Sequence, residues 1–232
     1  MIPFIPADIV RKLFLILLEE DKKSLYQCIF VNKEWFENAA PLLWKNPFKV
    51  PFKDNAIARS YFGCLSEESR LEIQTRGINI NLPPFKTSSF NYINHCQNIP
   101  SQSIKRISSE ILGNKSNPNF TWEYNLNLIE KEFWKCLLKN CTLHSIELPN
   151  LSLCYFPHSS FSSLIKLECS SNISTDFFFE LSRVCQNLEK IKIHPCDYDN
   201  EGLATLIAFQ KNLKSMEILL KIRLNMKKLV KH

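Results

Sequence analysis

One apolar pattern returns four times in the C-terminal half of this chain: Leu143-x-x-Ile146-x-Leu148, Leu164-x-x-Leu167-x-Cys169, Leu188-x-x-Ile191-x-Ile193 and Leu213-x-x-Met216-x-Ile218. Successive starts lie 21, 24 and 25 residues apart. A period of about 20 to 30 residues marks a stacked architecture in which a single unit cannot bury its own apolar side and needs its neighbours. Between the short runs the spacing changes to that of helices. Residues 176–184 place Phe178, Leu181 and Val184 on one face, residues 200–209 place Leu203, Leu206 and Ile207 on one face, and residues 129–138 lead into the first run. A strand and then a helix per unit predicts α/β architecture, with a parallel sheet on one side and helices on the other. The unit after Leu148 has little helical pattern, so a loop is expected there.

Strand alternation buries the leucine positions and turns the third, fifth and seventh residues of each unit to the opposite face. Those residues are Ser145, Glu147 and Pro149; Lys166, Glu168 and Ser170; Lys190, Lys192 and His194; Ser215, Glu217 and Leu219. With adjacent strands about 4.8 Å apart, Glu147, Glu168, Lys192 and Glu217 form one lateral row of both signs. Glu147, Lys166, Glu168, Lys190, Lys192, His194 and Glu217 are therefore the candidate partner-facing set. The competing reading is neighbour pairing on a solvated sheet.

The first forty-five residues have a different logic. After Ile5-Pro6, residues 7–18 read as a helix with Asp8 at its favourable N-terminal end. Ile9, Leu13, Ile16 and Leu17 make one apolar stripe, and Val10, Phe14, Leu15 and Leu18 make another. Ser24 is expected to cap a second helix carrying Leu25, Cys28, Ile29 and Val31, and Asn32 a third carrying Trp35, Phe36 and Ala39 up to Pro41. Three short helices cannot cover both stripes, so a surplus apolar face is left for a partner or for the second half of the chain.

Ile5-Pro6-x-Asp8-Ile9, Leu13, Leu17, Leu25, Cys28-x-x-Val31-Asn32-x-x-Trp35 and Leu43-Trp44, in this order, resemble the F-box motif, whose members dock on the Skp-type adaptor of cullin-RING ubiquitin ligases. Ile5 stands where the family usually has Leu, and Asn32-Lys33-Glu34-Trp35 replaces the commoner Cys-Arg-x-Trp. The chain is thus similar to the divergent F-box families expanded in some fungi, and its second half resembles leucine-rich repeats. The resemblance implies adaptor contacts from Ile5, Pro6, Ile9, Leu13, Leu17, Leu25 and Val31. It places Trp35, Leu43 and Trp44 in the core of the module and a target protein on the repeat face.

Residues 47–128 are less legible. Helices are expected at 54–65, at 66–74 with Ser66 as cap and Arg76-Gly77 as stop, and at 103–112 before Gly113. Residues 115–121 read as a surface loop and Ile78-x-Ile80-x-Leu82 as a degenerate strand.

Several function classes are disfavoured. The four glycines, Gly63, Gly77, Gly113 and Gly202, are too scattered for a phosphate-cradling loop. The net charge of +6 is mostly the tail, since residues 221–232 hold five basic residues and no acid, leaving 24 basic against 23 acidic residues elsewhere. No nucleic-acid partner is therefore expected. Nine cysteines without a CxxC pair fit neither a zinc nor a disulfide framework, and the longest apolar run, residues 13–18, is far short of a membrane span. A cytoplasmic or nuclear protein with reduced thiols is expected. The five histidines show no ligand spacing. Neither a metal, a cofactor nor a catalytic residue is expected, the remote alternative being a thiol-dependent hydrolase.

The sequence divides as an adaptor-binding module at 3–46, a helical region at 47–128, repeats at 129–220 and a basic tail at 221–232. One further period from Leu213 would run past His232, so either the tail folds over the last repeat with Leu219, Ile222, Met226 and Leu229 as one helical face, or, as is favoured, the last strand is left exposed. The expected function is the substrate-recognition subunit of a Skp-cullin-F-box ubiquitin ligase, without bond chemistry of its own. The alternative is a repeat scaffold with no ligase role.

Overall fold

The apolar repeat becomes a ladder of parallel strands. A computed structural model describes residues 6–50, 52–78, 80, 90–113, 119–148, 158–194 and 199–219. Its elements run α1 (Ala7–Glu20), α2 (Lys22–Cys28), α3 (Lys33–Trp44), α4 (Asp54–Gly63), α5 (Glu67–Thr75), β1 (Asn98–Ile99), α6 (Ser101–Leu112) and α7 (Phe120–Asn140). They continue as β2 (Ser145–Glu147), β3 (Lys166–Cys169), α8 (Thr175–Val184), β4 (Lys190–Ile193), α9 (Glu201–Ala208) and β5 (Ser215–Ile218). The chain is α/β, with five parallel strands in the order β1-β2-β3-β4-β5.

Register follows the repeat residue by residue. Ile99 pairs with Ile146, Ile146 with Leu167, Leu167 with Ile191 and Ile191 with Met216. At the foot of each strand one carbonyl accepts two successive N–H groups from the next unit. Gln97 O accepts from His144 and Ser145, His144 O from Ile165 and Lys166, Ile165 O from Glu189 and Lys190, and Glu189 O from Lys214 and Ser215. Ile99, Ile146, Leu167 and Ile191 are buried, as are Leu143, Leu164 and Leu188. The last unit departs from the pattern: Met216 and Ile218 are 49% and 45% exposed. Among the described residues β5 pairs with β4 alone.

The first strand is one the repeat pattern does not reveal. Ile78 and Ile80, expected in a strand, pair with no strand, and the rest of that segment lies outside the described residues. Cys96 and Ile99 instead occupy the positions held later by Leu143 and Ile146. Two helices, α6 and α7, fill the interval to β2. Asn119 accepts from Trp122 N at 2.9 Å and starts α7 well before residue 129, so Phe120 and Thr121 are helical rather than loop. The helix runs unbroken across residues 128 and 129. Ser69 Oγ donates to the buried Glu132 at 2.7 Å, tying α5 to α7. The expected stops hold, with Gly77 at φ +67° and Gly113 at φ +77°.

The N-terminal helices form as expected with two corrections. Asp21, not Ser24, caps α2, accepting from Lys23 N and Ser24 N at 3.1 Å. Helix α3, capped by Asn32 through Trp35 N at 2.8 Å, continues through Pro41 to Trp44. Its buried face, Ala39, Ala40, Leu43 and Trp44, spans the proline, so packing offsets the missing hydrogen bond. Trp44 joins the module to the remainder, its ring 4.5 Å from Tyr92 and 5.7 Å from Tyr61. One cluster of buried residues extends from Val10 to Leu206. No helix among the described residues is long and apolar enough to cross a membrane.

Helices α8 and α9 form the layer behind the sheet, and their closest approach is at Gly202. A Cβ there would meet Thr175 O at 2.2 Å. Gly202→Ala is expected to destabilise the protein by about 1–3 kcal/mol through overpacking, read as a fall in the urea midpoint; an unchanged midpoint would show that the two helices separate freely.

Candidate functional site

Two surfaces carry the candidate residues. The first is α1, where Val10 and Phe14 are buried, Leu17 and Leu18 half-buried, and the Phe14 ring meets Trp35 edge-on at 5.2 Å between centroids. About a quarter-turn away, Ile9, Leu13 and Ile16 are 56%, 39% and 53% exposed. Their i, i+4, i+7 spacing makes one continuous apolar stripe. Pro6 is exposed and starts the helix through its carbonyl, which accepts from Ile9 N and Val10 N. Val31 is exposed, as is the neighbouring Phe30.

Leu25 is a correction. It is fully buried and belongs to the core of the module, because α2 turns it toward α1 and α3. It therefore offers no contact surface to a partner. Leu43 and Trp44 are buried as expected, whereas Trp35 is only half-buried. Ile5 lies outside the described residues.

The second surface is the polar face of the sheet, and its register sorts the candidates into two rows. Ser145, Lys166, Lys190 and Ser215 occupy one rung, while Glu147, Glu168, Lys192 and Glu217 occupy the next. The first leaves Lys166 and Lys190 exposed beside each other. On the second, Lys192 Nζ pairs with Glu168 Oε1 at 2.9 Å. His194 Nε2 meets the same oxygen at 2.5 Å. Ser101 N, in the first turn of α6, donates to Glu147 Oε2 at 3.2 Å. Glu217 is exposed opposite Lys192. Pro149 and the tail lie outside the described residues.

Burial works to raise the Glu168 carboxyl, but hydrogen bonds from Lys192 and His194 outweigh it and hold the group below its ordinary range. Lys192 is raised, first by its hydrogen bond to Glu168 and then by the charges of Glu168, Glu217 and Glu147. The His194 contact was not among the pairs read from the sequence. It is the diagonal neighbour, two residues beyond the partner of Glu168, and the alternation rule could have found it.

The described cysteines are all thiols. Burial pushes Cys136 and Cys185 up to about 12, and a hydrogen bond with Cys96 together with burial raises Cys141. These three are poor nucleophiles at neutral pH. No known protein family matches the sequence, and no match is found among characterised proteins or solved structures.

The two faces of α1 separate by mutation. Phe14→Ala should cost about 3–5 kcal/mol of stability, whereas Ile9→Ser should stay within about 0.5 kcal/mol of wild type, both read by chemical denaturation. On the sheet, a carboxyl whose folded pKa is lowered stabilises the fold above its unfolded pKa and loses that contribution as pH falls through the folded value. Glu168→Gln should therefore cost up to about 1 kcal/mol at neutral pH, with the gap closing as pH falls below the ordinary carboxylate value of 4.5. A gap that persists in strong acid would assign the loss to packing instead.

Proposed function

We propose that this chain is a substrate-recruiting, non-catalytic subunit of a Skp-cullin-F-box type ubiquitin ligase, with the N-terminal helices as an F-box-like module and the strand ladder as a leucine-rich-repeat arc. The observation that carries this reading is the stripe of Ile9, Leu13 and Ile16. It stands exposed on a helix whose adjacent face, with Val10 and Phe14, already satisfies the core. An apolar stripe left open in front of a completed core is the form of a helix that docks on a partner.

In this reading the Skp-type adaptor covers Ile9, Leu13 and Ile16, with Pro6 and Val31 near the rim, and the protein works in the cytoplasm or nucleus. Trp44 and its aromatic neighbours transmit a fixed orientation from the docked helices to the sheet. The target protein then faces Glu147, Lys166, Glu168, Lys190, Lys192, His194 and Glu217. Ubiquitin transfer belongs to the other subunits, and the chain contributes proximity and orientation.

The rows of mixed charge equally serve a scaffold that binds proteins without a ligase, and the α1 stripe separates the two. The double variant Ile9→Asp with Leu13→Asp places two charges where the adaptor would bury them, at a cost of several kcal/mol in binding. Because both side chains are exposed in the free protein, its denaturation midpoint should match wild type. Loss of co-purification with a Skp-type adaptor, at unchanged stability, is the expected result. Undiminished co-purification, or no association of the wild-type chain with any such adaptor, would remove the ligase reading.

A further inference from the structure

The rung through Glu147 and Glu168 contains an arrangement that sheet packing alone disfavours. The two carboxylates face each other across β2 and β3, and like charges directly opposite destabilise a sheet. Lys192 Nζ bonds to Glu168 at 2.9 Å, while Glu147 and Glu217 act on it through their charge only. His194 brings an imidazole nitrogen to the same place. One ligand atom from each of Glu147, Glu168 and His194 lies within 4.8 Å of the others, and all three side chains are half-buried.

We propose that Glu147, Glu168 and His194 bind a divalent transition-metal cation of the zinc class on the polar face of the sheet. Two carboxylates and one imidazole are ligand types zinc accepts, and three protein ligands leave the fourth position for water, as in open zinc sites. The dication would cancel both negative charges. An imidazole donor favours zinc, cobalt or nickel over magnesium and calcium, which take oxygen ligands.

The ligands are held by contacts outside the set. Ser101 N, at the start of α6, fixes Glu147 Oε2 at 3.2 Å and leaves the other oxygen to turn inward. His194 N donates to Cys169 O at 2.8 Å, which anchors the residue that follows β4. Ligand atoms on a tetrahedral zinc lie about 3.3 Å apart, given bonds of about 2.0–2.2 Å. The observed spread of up to 4.8 Å would close by rotation of the side chains. The Glu168–His194 hydrogen bond opens as the cation enters between them. The ammonium of Lys192 is the competitor, and it has somewhere to go: Glu217 is its register partner on β5. The site is independent of the ubiquitin-ligase reading and needs no adaptor.

Cobalt(II) and zinc(II), titrated into the full chain with its cysteines reduced, test this by visible absorption and calorimetry. A single saturable equivalent without a thiolate charge-transfer band is expected, and zinc should displace cobalt. His194→Ala and Glu147→Gln should each weaken binding by about tenfold or more, with circular dichroism showing both folded. Lys192→Met should tighten binding several-fold, which a residue serving only to brace the sheet would not do. No saturable binding at millimolar metal, equal affinity in the His194→Ala and Glu147→Gln variants, or a thiolate band assigning the metal to cysteines would overturn the proposal.

Discussion

A row of branched apolar side chains, Ile99, Ile146, Leu167 and Ile191, stacked in parallel register, is the contact on which the rest of the structure depends. A parallel pair cannot close through a tight turn, so each strand has to be returned to its start by a crossover. Where that crossover is a helix, its inner face is buried in the same core as the row, as Phe178 and Leu203 are. One interaction therefore sets both layers. It also orders the opposite face, because a residue one step along any strand must point away from the row and must lie beside its counterpart in the next unit. The pairing of Glu168 with Lys192 is a consequence of burying Leu167 against Ile191.

The N-terminal helices obey a separate constraint. A helix with apolar residues nearly all round can satisfy only the side that has neighbours, and α2 and α3 are short. They cover Val10 and Phe14 and leave Ile9, Leu13 and Ile16 in water. Burying this stripe against another surface would be worth roughly 1.5–3 kcal/mol per side chain. Trp44, packed among Tyr61, Tyr92 and Phe52, makes the module continuous with the sheet rather than a bead on a linker. The exposed stripe of α1 is thereby held at a fixed orientation to the charged rows.

Polar side chains hold the crossovers where apolar packing runs out. Asn200 caps α9 through Leu203 N and donates back to Ser171 O and Ile173 O in the preceding loop. Gln210 donates to Cys185 O and Leu206 O while accepting from Leu188 N. Each amide spans two units and satisfies backbone groups that would otherwise be stranded between them. Neither was singled out from the sequence, since a lone Asn or Gln in a loop carries no periodic signal.

The sequence by itself determined the ladder from β2 to β5, its register and the charged row upon it. A strand's two faces follow from a period of two, and neighbours in a stack follow from the length of the repeat. It also determined the caps at Asn32 and Ser66, because each acts on an N–H group three residues along the chain. Tertiary structure alone decided which stripe of α1 is covered, and it turned Leu25 inward where a motif-based assignment placed it at an interface. It alone decided that Cys96 and Ile99 open the sheet, since a two-residue strand separated from its neighbour by two helices leaves no local period to read. The convergence of Glu147, Glu168 and His194 is of the same kind. Their separations along the chain fix the rungs, but whether their side chains meet depends on the twist of the sheet and the placement of α6, and those are set by the packing of the whole core.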